Sequence, residues 1–300
     1  MAADDDGDRT KRRGTWVPLG LLSPGMIWLI LFFVLPLVTL ARTSLSVKES
    51  RFAQDASFTW EWANFTNALG DYSEQFTRSF VYAGTATLLC IAIGYPVAYV
   101  IAFRGGRYKN ALLGLVVVPF FTSFLIRTLA WATVLADNGP VLTILDRLSL
   151  VGLLESLGIA ENGGLLSTHA AVIGGLTYNF LPFMILPIYV SLEKIDLRLT
   201  EAAKDLYSNG WTAFRKVVLP LSLPGVFAGS LLTFIPAAGD FINARFLGGP
   251  NNTMIGTVVQ DRFLVQLDYP TAAAISFILM IIITVATLIY ARVLGTDDLI

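Results

Sequence analysis

Six apolar stretches, each long enough to cross a lipid bilayer, constrain the fold of this chain more than any other feature. They occupy approximately 17–41, 76–103, 111–136, 168–192, 223–247 and 271–293. A transmembrane helix needs about 20 mainly apolar residues to span roughly 30 Å of hydrocarbon. Charged residues make up only 14% of the chain, whereas a soluble domain usually carries about 25%. The sequence therefore predicts an all-α integral membrane protein with about six transmembrane helices.

The predicted membrane domain covers 17–293 and has a short tail at each end, 1–16 and 294–300. The first apolar stretch is too long for the core of a signal peptide, so we expect it to be retained as a span. Six spans place both termini on the same side of the membrane. Most of the 21 basic residues fall on that side, most clearly in the short loop at 104–110. Because cytoplasmic segments are enriched in Lys and Arg, both termini are predicted to be cytoplasmic.

A predicted outer loop at 137–167 opens with the sequence Asp137-Asn138-Gly139-Pro140. This combination of residues is a strong turn signal. A leucine-rich stretch at 141–158 follows the turn. We expect that stretch to form a short helix that lies on the membrane surface rather than crossing the bilayer.

The longest predicted cytoplasmic loop, 193–222, carries a pattern typical of two short helices. Small and apolar residues recur at helical spacing on one face of the first, namely Leu199, Ala202, Ala203 and Leu206. A turn follows at Ser208-Asn209-Gly210, and the spacing then repeats at Trp211, Phe214 and Val218 before Pro220. The apolar stripe is too large to leave in water. It indicates either a docking surface for another protein or a loop that lies on lipid headgroups.

This loop resembles the EAA motif of ABC importer permeases. In that family Glu-Ala-Ala begins a cytoplasmic coupling helix and Leu-Pro ends the motif, a spacing kept here by Glu201-Ala202-Ala203 and Leu219-Pro220. One position departs, because Tyr207 replaces the family's usual glycine, and Gly210 is expected to form the turn instead. The resemblance implies the fold of a type I ABC importer permease. It also implies docking on a cytoplasmic ABC ATPase dimer through Glu201, Ala202, Ala203, Gly210, Leu219 and Pro220.

Further stretches resemble the permease subunits of bacterial polyamine importers, which carry spermidine and putrescine. They cover nearly the whole chain and include Pro119-Phe120, Leu125-Ile126-Arg127, Leu181-Pro182-Phe183-Met184, Ser191-Leu192-Glu193-Lys194, Gly239-Asp240-Phe241 and Leu247-Gly248-Gly249-Pro250. This resemblance implies a subunit of the bacterial cytoplasmic membrane that moves polyamines by alternating access. It implies three protein partners: the ATPase, which would bind ATP and Mg²⁺, a second related permease, and an extracytoplasmic solute-binding protein. Other solutes remain open, namely another organic cation, a small organic anion or ferric iron.

The chain lacks the sequence motifs expected of an enzyme that acts alone. It contains no GxxxxGK sequence to hold ATP phosphates and no GxSxG sequence. A single histidine, His169, and a single cysteine, Cys90, cannot form an HExxH or multi-cysteine metal site. We therefore expect no cofactor or metal on this chain and no nucleic-acid partner. The main alternative is an ion-coupled secondary transporter, which would need several intramembrane carboxylates, whereas only Asp240 lies deep in a predicted span.

Two ionisable residues stand out inside the predicted spans, where charged side chains are costly and usually functional. Arg127 lies in the third span and Asp240 in the fifth. Counted along straight helices from the inner surface, the two residues reach a similar depth. Two interpretations are open. Either Arg127 and Asp240 form an ion pair that joins the two spans, or Asp240 faces the transport pathway and attracts an ammonium group.

Several aromatic residues could hold a cation against the faces of their rings. The candidates are Trp131, Tyr178, Phe180 and Phe183, although packing or lipid contact is the favoured explanation for each of them taken singly. Pro236 and Gly239 are predicted to interrupt the fifth helix just before Asp240. Broken helices often line transport pathways, which favours a place for Asp240 in the pathway.

Overall fold

The computed structural model describes residues 21–48, 57–196, 198–199 and 209–293. The strands within these ranges are β1 (Ser46–Val47) and β2 (Ser57–Phe58), which form a short antiparallel hairpin. Almost all the remaining regular structure is helical. Five helices are long and apolar enough to cross a membrane, and up to six spans are present if one bent pair is counted as a span. The all-α membrane fold predicted from the sequence is confirmed.

In chain order, the helices are α1 (Leu21–Ser44), α2 (Ala63–Asp71), α3 (Ser73–Arg104), α4 (Lys109–Val117), α5 (Phe124–Leu135), α6 (Pro140–Arg147), α7 (Val151–Ser156), α8 (His169–Glu193), α9 (Gly210–Ala238), α10 (Ile242–Leu247), α11 (Ile255–Gln260) and α12 (Tyr269–Val293). The second, fourth and sixth predicted spans agree with α3, α8 and α12 to within a few residues. The first agrees with α1, although 17–20 lies outside the described residues.

Helices α3, α8 and α9 pack together and form the centre of the molecule. Helix α9 lies close against α8 because Gly225 and Gly229 leave no side chain between the two backbones. A Cβ atom added at Gly225 would lie 2.6 Å from the carbonyl oxygen of Pro187, and one added at Gly229 would lie 2.8 Å from the Sδ atom of Met184. Small residues four apart permit this close packing inside a bilayer, where lipid is as apolar as the helices themselves.

Helix α1 lies at the periphery and packs against α12. Its large apolar side chains, including Trp28, Phe32 and Phe33, are exposed. A helix with an apolar exposed surface is stable when lipid surrounds it, and the span window of α1 contains no buried residue. Helix α1 therefore resembles a lipid-facing arm beside the central bundle.

The third predicted span, 111–136, is wrong as a single straight helix. The chain bends by 92° between Gly106–Phe121, which contains α4, and Phe124–Arg147, which contains α5 and α6. Thr122 and Ser123 adopt extended backbone angles at the bend. Pro119 lies just before them and cannot donate a backbone hydrogen bond, which weakens the helix there.

The fifth predicted span, 223–247, is displaced. Helix α9 begins at Gly210 and ends at Ala238, and the separate α10 follows. The prediction of a break before Asp240 is confirmed, since Gly239 is the C-cap of α9. The second short helix predicted before Pro220 is not separate from this span. A π-helical turn at Phe214–Val218 directly precedes Leu219-Pro220, and the helix continues through the proline.

The segment predicted to be an outer loop forms two helices, α6 and α7, rather than the single short helix predicted at 141–158. The turn predicted at Asp137 to Pro140 is present directly before α6. Ser149 separates the two helices and has a positive φ of 55°, so its backbone cannot continue either of them. Leu142, Ala160 and Leu165 form a small buried cluster beneath them.

Candidate functional site

The break between α9 and α10 places Asp240 in a buried position, where only 7% of its surface is exposed. Its Oδ1 atom accepts a hydrogen bond of 2.7 Å from the backbone N–H of Asn243. That N–H belongs to the first turn of α10, where backbone donors have no partner within the helix. Asp240 therefore stabilises the start of α10 and holds a carboxylate at the helix break.

Three buried polar side chains lie next to Asp240 and connect different helices. The Oδ1 atom of Asn243 in α10 accepts hydrogen bonds from Asn179 Nδ2 in α8 at 3.0 Å and from Thr128 Oγ1 in α5 at 3.3 Å. All three residues are fully buried. These hydrogen bonds are directional and fix α10 against α5 and α8. We call the four residues the polar cluster: Thr128, Asn179, Asp240 and Asn243.

Sequence reasoning missed three members of the polar cluster, Thr128, Asn179 and Asn243. Each is a polar residue within a predicted apolar span, and such residues usually face the interior of a helix bundle. That pattern could have selected them. It could not have shown that they meet, because they are far apart in the chain and only the tertiary packing brings them together.

The structure does not bring Arg127 and Asp240 together. Among the ion pairs of the described residues, none joins these two side chains. The guanidinium carbon of Arg127 lies 5.7 Å from the centre of the Phe124 ring, and its buried Nε and Nη1 atoms have no hydrogen-bond partner. Counting residues along straight helices failed because the chain breaks before both residues, at 122–123 and at Gly239.

The predicted aromatic residues form two groups. Trp131 and Tyr178 meet edge to face, with ring centres 5.5 Å apart, and Tyr178 is 38% exposed. Phe180 and Phe183 lie 6.1 Å apart, and Phe180 also packs against Phe124. Phe180 is buried, so it contributes to packing in this conformation. In the other group, Tyr178 is more accessible than Trp131.

A groove of about 800 Å³ runs along α8 and α9. Phe183 lines one part of it, and the opposite part reaches Lys194, Asp196 and Leu199 at the entrance to the 193–222 loop. Trp131, Tyr178, Phe180 and Asp240 do not line this groove. Of the five residues predicted for the pathway, Phe183 is thus the one that lines this groove.

The centre of the predicted coupling loop, including Glu201, Ala202 and Ala203, lies outside the described residues. Its two flanks are described. At the entrance, Asp196 Oδ1 accepts a hydrogen bond of 2.9 Å from the backbone N–H of Arg198. At the exit, Asn209 Oδ1 accepts one of 3.0 Å from the N–H of Trp211 and so caps the start of α9.

Gly210, which is predicted to form the turn, lies at the edge of the described residues, because 200–208 are outside them. It is the first residue of α9 and does not have a positive φ. Asn209 precedes it as the N-cap, since an asparagine at this position satisfies a free N–H of the first helical turn. Leu219 and Pro220 lie inside the continuous helix α9.

The amino-acid sequence matches the family described as "Binding-protein-dependent transport system inner membrane component" over residues 91–294. The chain belongs to this family. It is 38% identical to the spermidine/putrescine transport system permease protein PotB of Haemophilus influenzae, over 88% of this chain and 90% of that protein. Escherichia coli PotB is 36% identical, over 88% and 93%. The molybdenum transport system permease protein ModB of Mycobacterium bovis is 28% identical, over 89% and 92%.

Solved structures of ABC transporters share the fold of this permease. A chain from a bacterial ABC transporter that imports the acidic polysaccharide alginate matches with a TM-score of 0.65 and 18% identity, over 96% of this chain and 98% of that one. A chain of the MetNI methionine ABC transporter matches with a TM-score of 0.55 and 16% identity, over 74% and 94%. At such identities the likeness concerns the fold alone. The predicted ABC importer permease fold is confirmed.

The permease offers no cluster of metal ligands among its described residues. His169 contacts Glu161, with 3.1 Å between Nε2 and Oε1, and its Nδ1 lies 2.9 Å from Asn252 Oδ1. Cys90 is buried, and its Sγ lies 3.4 Å from the carbonyl oxygen of Thr177. Both residues therefore contact neighbouring segments of the permease.

Proposed function

We propose that this permease is the membrane subunit of an ATP-driven importer that carries polyamines, spermidine or putrescine, across the cytoplasmic membrane of a bacterium. The observation that carries the proposal is the likeness to PotB permeases, at 36–38% identity over 88% of the chain. This match is far longer than the coupling loop. It includes the helix break and the aromatic residues that would form the pathway.

The proposed assembly contains an ATPase dimer, which binds ATP and Mg²⁺, a second related permease and an external solute-binding protein. The ATPase would contact the 193–222 loop through Glu201, Ala202 and Ala203. The distribution of Lys and Arg supports a cytoplasmic position for this loop and for both termini. This chain would supply half of the pathway and no hydrolytic chemistry.

In this proposal, the buried carboxylate of Asp240 attracts an ammonium group once the helix break opens. Only 7% of Asp240 is exposed, so the described conformation would be closed at this point. Tyr178 and Trp131 would offer ring faces to a desolvated cation, an interaction worth about 2 kcal/mol. Alternating access would open the α9–α10 break to each side of the membrane in turn.

A small oxyanion is the second candidate solute. Arg127 has buried Nε and Nη1 atoms without a partner, and a guanidinium binds oxyanions well. The 28% identity to ModB, a molybdenum transport permease, also favours a small oxyanion as the solute. It is the weaker candidate because PotB is more similar over an equal share of the chain.

Uptake by the purified assembly in proteoliposomes tests the proposal. With ATP supplied on the cytoplasmic face and the binding protein outside, labelled spermidine or putrescine should accumulate, and vanadate should stop the uptake. Uptake of molybdate in place of polyamines would support the anion candidate. Polyamine uptake that ignores vanadate and follows an ion gradient would instead support a secondary transporter and reject the ATP-driven proposal.

Glu201→Ala tests the coupling role of the loop. We expect this variant to insert into the membrane normally but to lose ATP hydrolysis stimulated by the loaded binding protein, because the loop would no longer engage the ATPase. Membrane insertion is checked by protease protection of the purified complex. Unchanged stimulated hydrolysis together with unchanged uptake would remove Glu201 from the coupling role.

A further inference from the structure

The entrance of the 193–222 loop is attached to the start of α4. Glu193 is the last residue of α8, and its Oε1 accepts a hydrogen bond of 2.8 Å from Lys109 Nζ. The same ammonium group lies 5.2 Å from the centre of the Tyr189 ring. Lys109 thus contacts two residues, one turn apart, at the end of α8, which fixes the direction in which the chain enters the loop.

The exit of the loop is attached to α3. The ring of Phe214 meets Tyr95 and Tyr99 edge to face, with ring centres 5.7 and 5.9 Å apart. The hydroxyl of Tyr95 also lies 2.7 Å from Ser222 Oγ, one helical turn beyond Leu219. These contacts fix the first turns of α9 against the end of α3.

One continuous hydrophobic cluster connects the two attachments. Leu192 and Ile195 at the entrance and Val218 at the exit belong to the same buried cluster as Tyr95 and Ile101 of α3. Helices α3 and α4 are joined by the short segment 105–108. Both ends of the loop are therefore held by a single helical hairpin, although the loop itself connects α8 to α9.

We propose that the α3–α4 hairpin is a brace that converts movement of the loop into movement of the helix bundle. Lys109, Glu193, Tyr95 and Phe214 are its positioning residues. This inference rests on the proposed function, because it assumes that a partner ATPase displaces the loop. A loop displaced at its centre moves the spans only if its ends are held, since loose ends would absorb the displacement.

The exit attachment carries most of the effect. The entrance ion pair is partly exposed, with 28% and 47% of the two side chains accessible, and pairs of this kind contribute little. The edge-to-face contacts of Phe214 lie in a packed environment, where aromatic pairs are stronger. Loss of the exit attachment should therefore reduce coupling more than loss of the entrance pair.

The test measures the ratio of spermidine transported to ATP hydrolysed in the complete reconstituted assembly. Lys109→Glu and Glu193→Lys should each lower this ratio about threefold, and the double variant with the charges exchanged should restore it. Phe214→Ala should lower the ratio about tenfold, whereas Phe214→Tyr, which keeps the ring, should not. Arg245→Glu removes an ion pair of similar exposure with Asp261, remote from the loop, and should leave the ratio unchanged.

Co-purification of the ATPase with each variant separates the brace from simple docking. The inference requires normal retention of the ATPase together with a lowered ratio. An unchanged ratio in Phe214→Ala, or no recovery in the charge-exchanged double variant, would overturn the brace. Absence of ATP-driven polyamine uptake by the wild-type assembly would instead reject the proposed function, so the two failures are distinct.

Discussion

The two ends of α9 are held by different kinds of interaction. At the end next to the loop, Phe214 and Val218 pack into an aromatic and aliphatic cluster. Beyond the other end, Asp240 and Asn243 belong to a cluster of buried hydrogen bonds. Apolar packing is not directional, whereas buried hydrogen bonds are directional and costly to leave unmade. The first end is suited to receive a displacement and the second to open in discrete steps.

A substitution at Gly225 tests whether both ends depend on the same central contact. Gly225→Val should prevent stable folding or lower stability by about 3 kcal/mol, since the added atoms would collide with the backbone of α8. Thermal unfolding in detergent measures this. Gly114→Val in α4 is the matched control, because a Cβ there meets nothing within 4 Å. Equal melting temperatures for the two variants would mean that the α8–α9 contact is looser than described.

Substitutions at Asp240 distinguish the role of its charge from the role of its hydrogen bond to Asn243, beyond the end of α9 that is remote from the loop. Asp240→Asn should lower spermidine uptake roughly tenfold with little change in stability, because asparagine also accepts a bond from a helix N-terminus. Asp240→Ala should lower both uptake and stability.

Asp268→Asn is the control for Asp240→Asn. Asp268 pairs with Arg262 at 3.3 Å, and both side chains are 30% accessible. Loss of such a pair should change uptake less than about twofold. Equal uptake by Asp240→Asn and Asp268→Asn would exclude Asp240 from the pathway and leave it a structural role at α10.

Asn179→Leu tests the directional character of the polar cluster. The change removes one of the two donors to Asn243 Oδ1 and should destabilise the protein by about 1 kcal/mol, because a buried acceptor loses a hydrogen bond. Asn110→Leu, at an exposed position of α4, should have little effect on the melting temperature. If Asn179→Leu is as stable as the wild type, hydrogen bonding does not hold this end.

Asn209→Ala concerns the cap at the loop end of α9 and should have the smallest effect. Loss of a helix cap costs about 1 kcal/mol, and the apolar cluster would keep the rest of the first turns in place. Hydrogen exchange should become faster at Trp211 and its neighbours, while Asn209→Asp retains protection. Slow exchange in Asn209→Ala would show that packing alone starts the helix.

The sequence predicted what depends on composition and local signals. Long apolar stretches located α3, α8 and α12, and Pro236 with Gly239 located the break before Asp240. The bend near Thr122 was missed because apolar periodicity does not register a change in direction between two short helices. The polar cluster and the absence of an Arg127–Asp240 pair follow from tertiary packing, which a count of residues along one helix cannot supply.

The tight fit between α8 and α9 limits how transport can proceed. Gly225 and Gly229 lie directly against α8. The two helices are therefore expected to move as one rigid unit, without sliding against each other. Any pivot then has to lie outside this pair of helices, and the interruptions at 122–123 and Gly239 are two such points among the described residues. Force applied at the end of α9 next to the 193–222 loop would reach the break at Gly239 without being lost along the way.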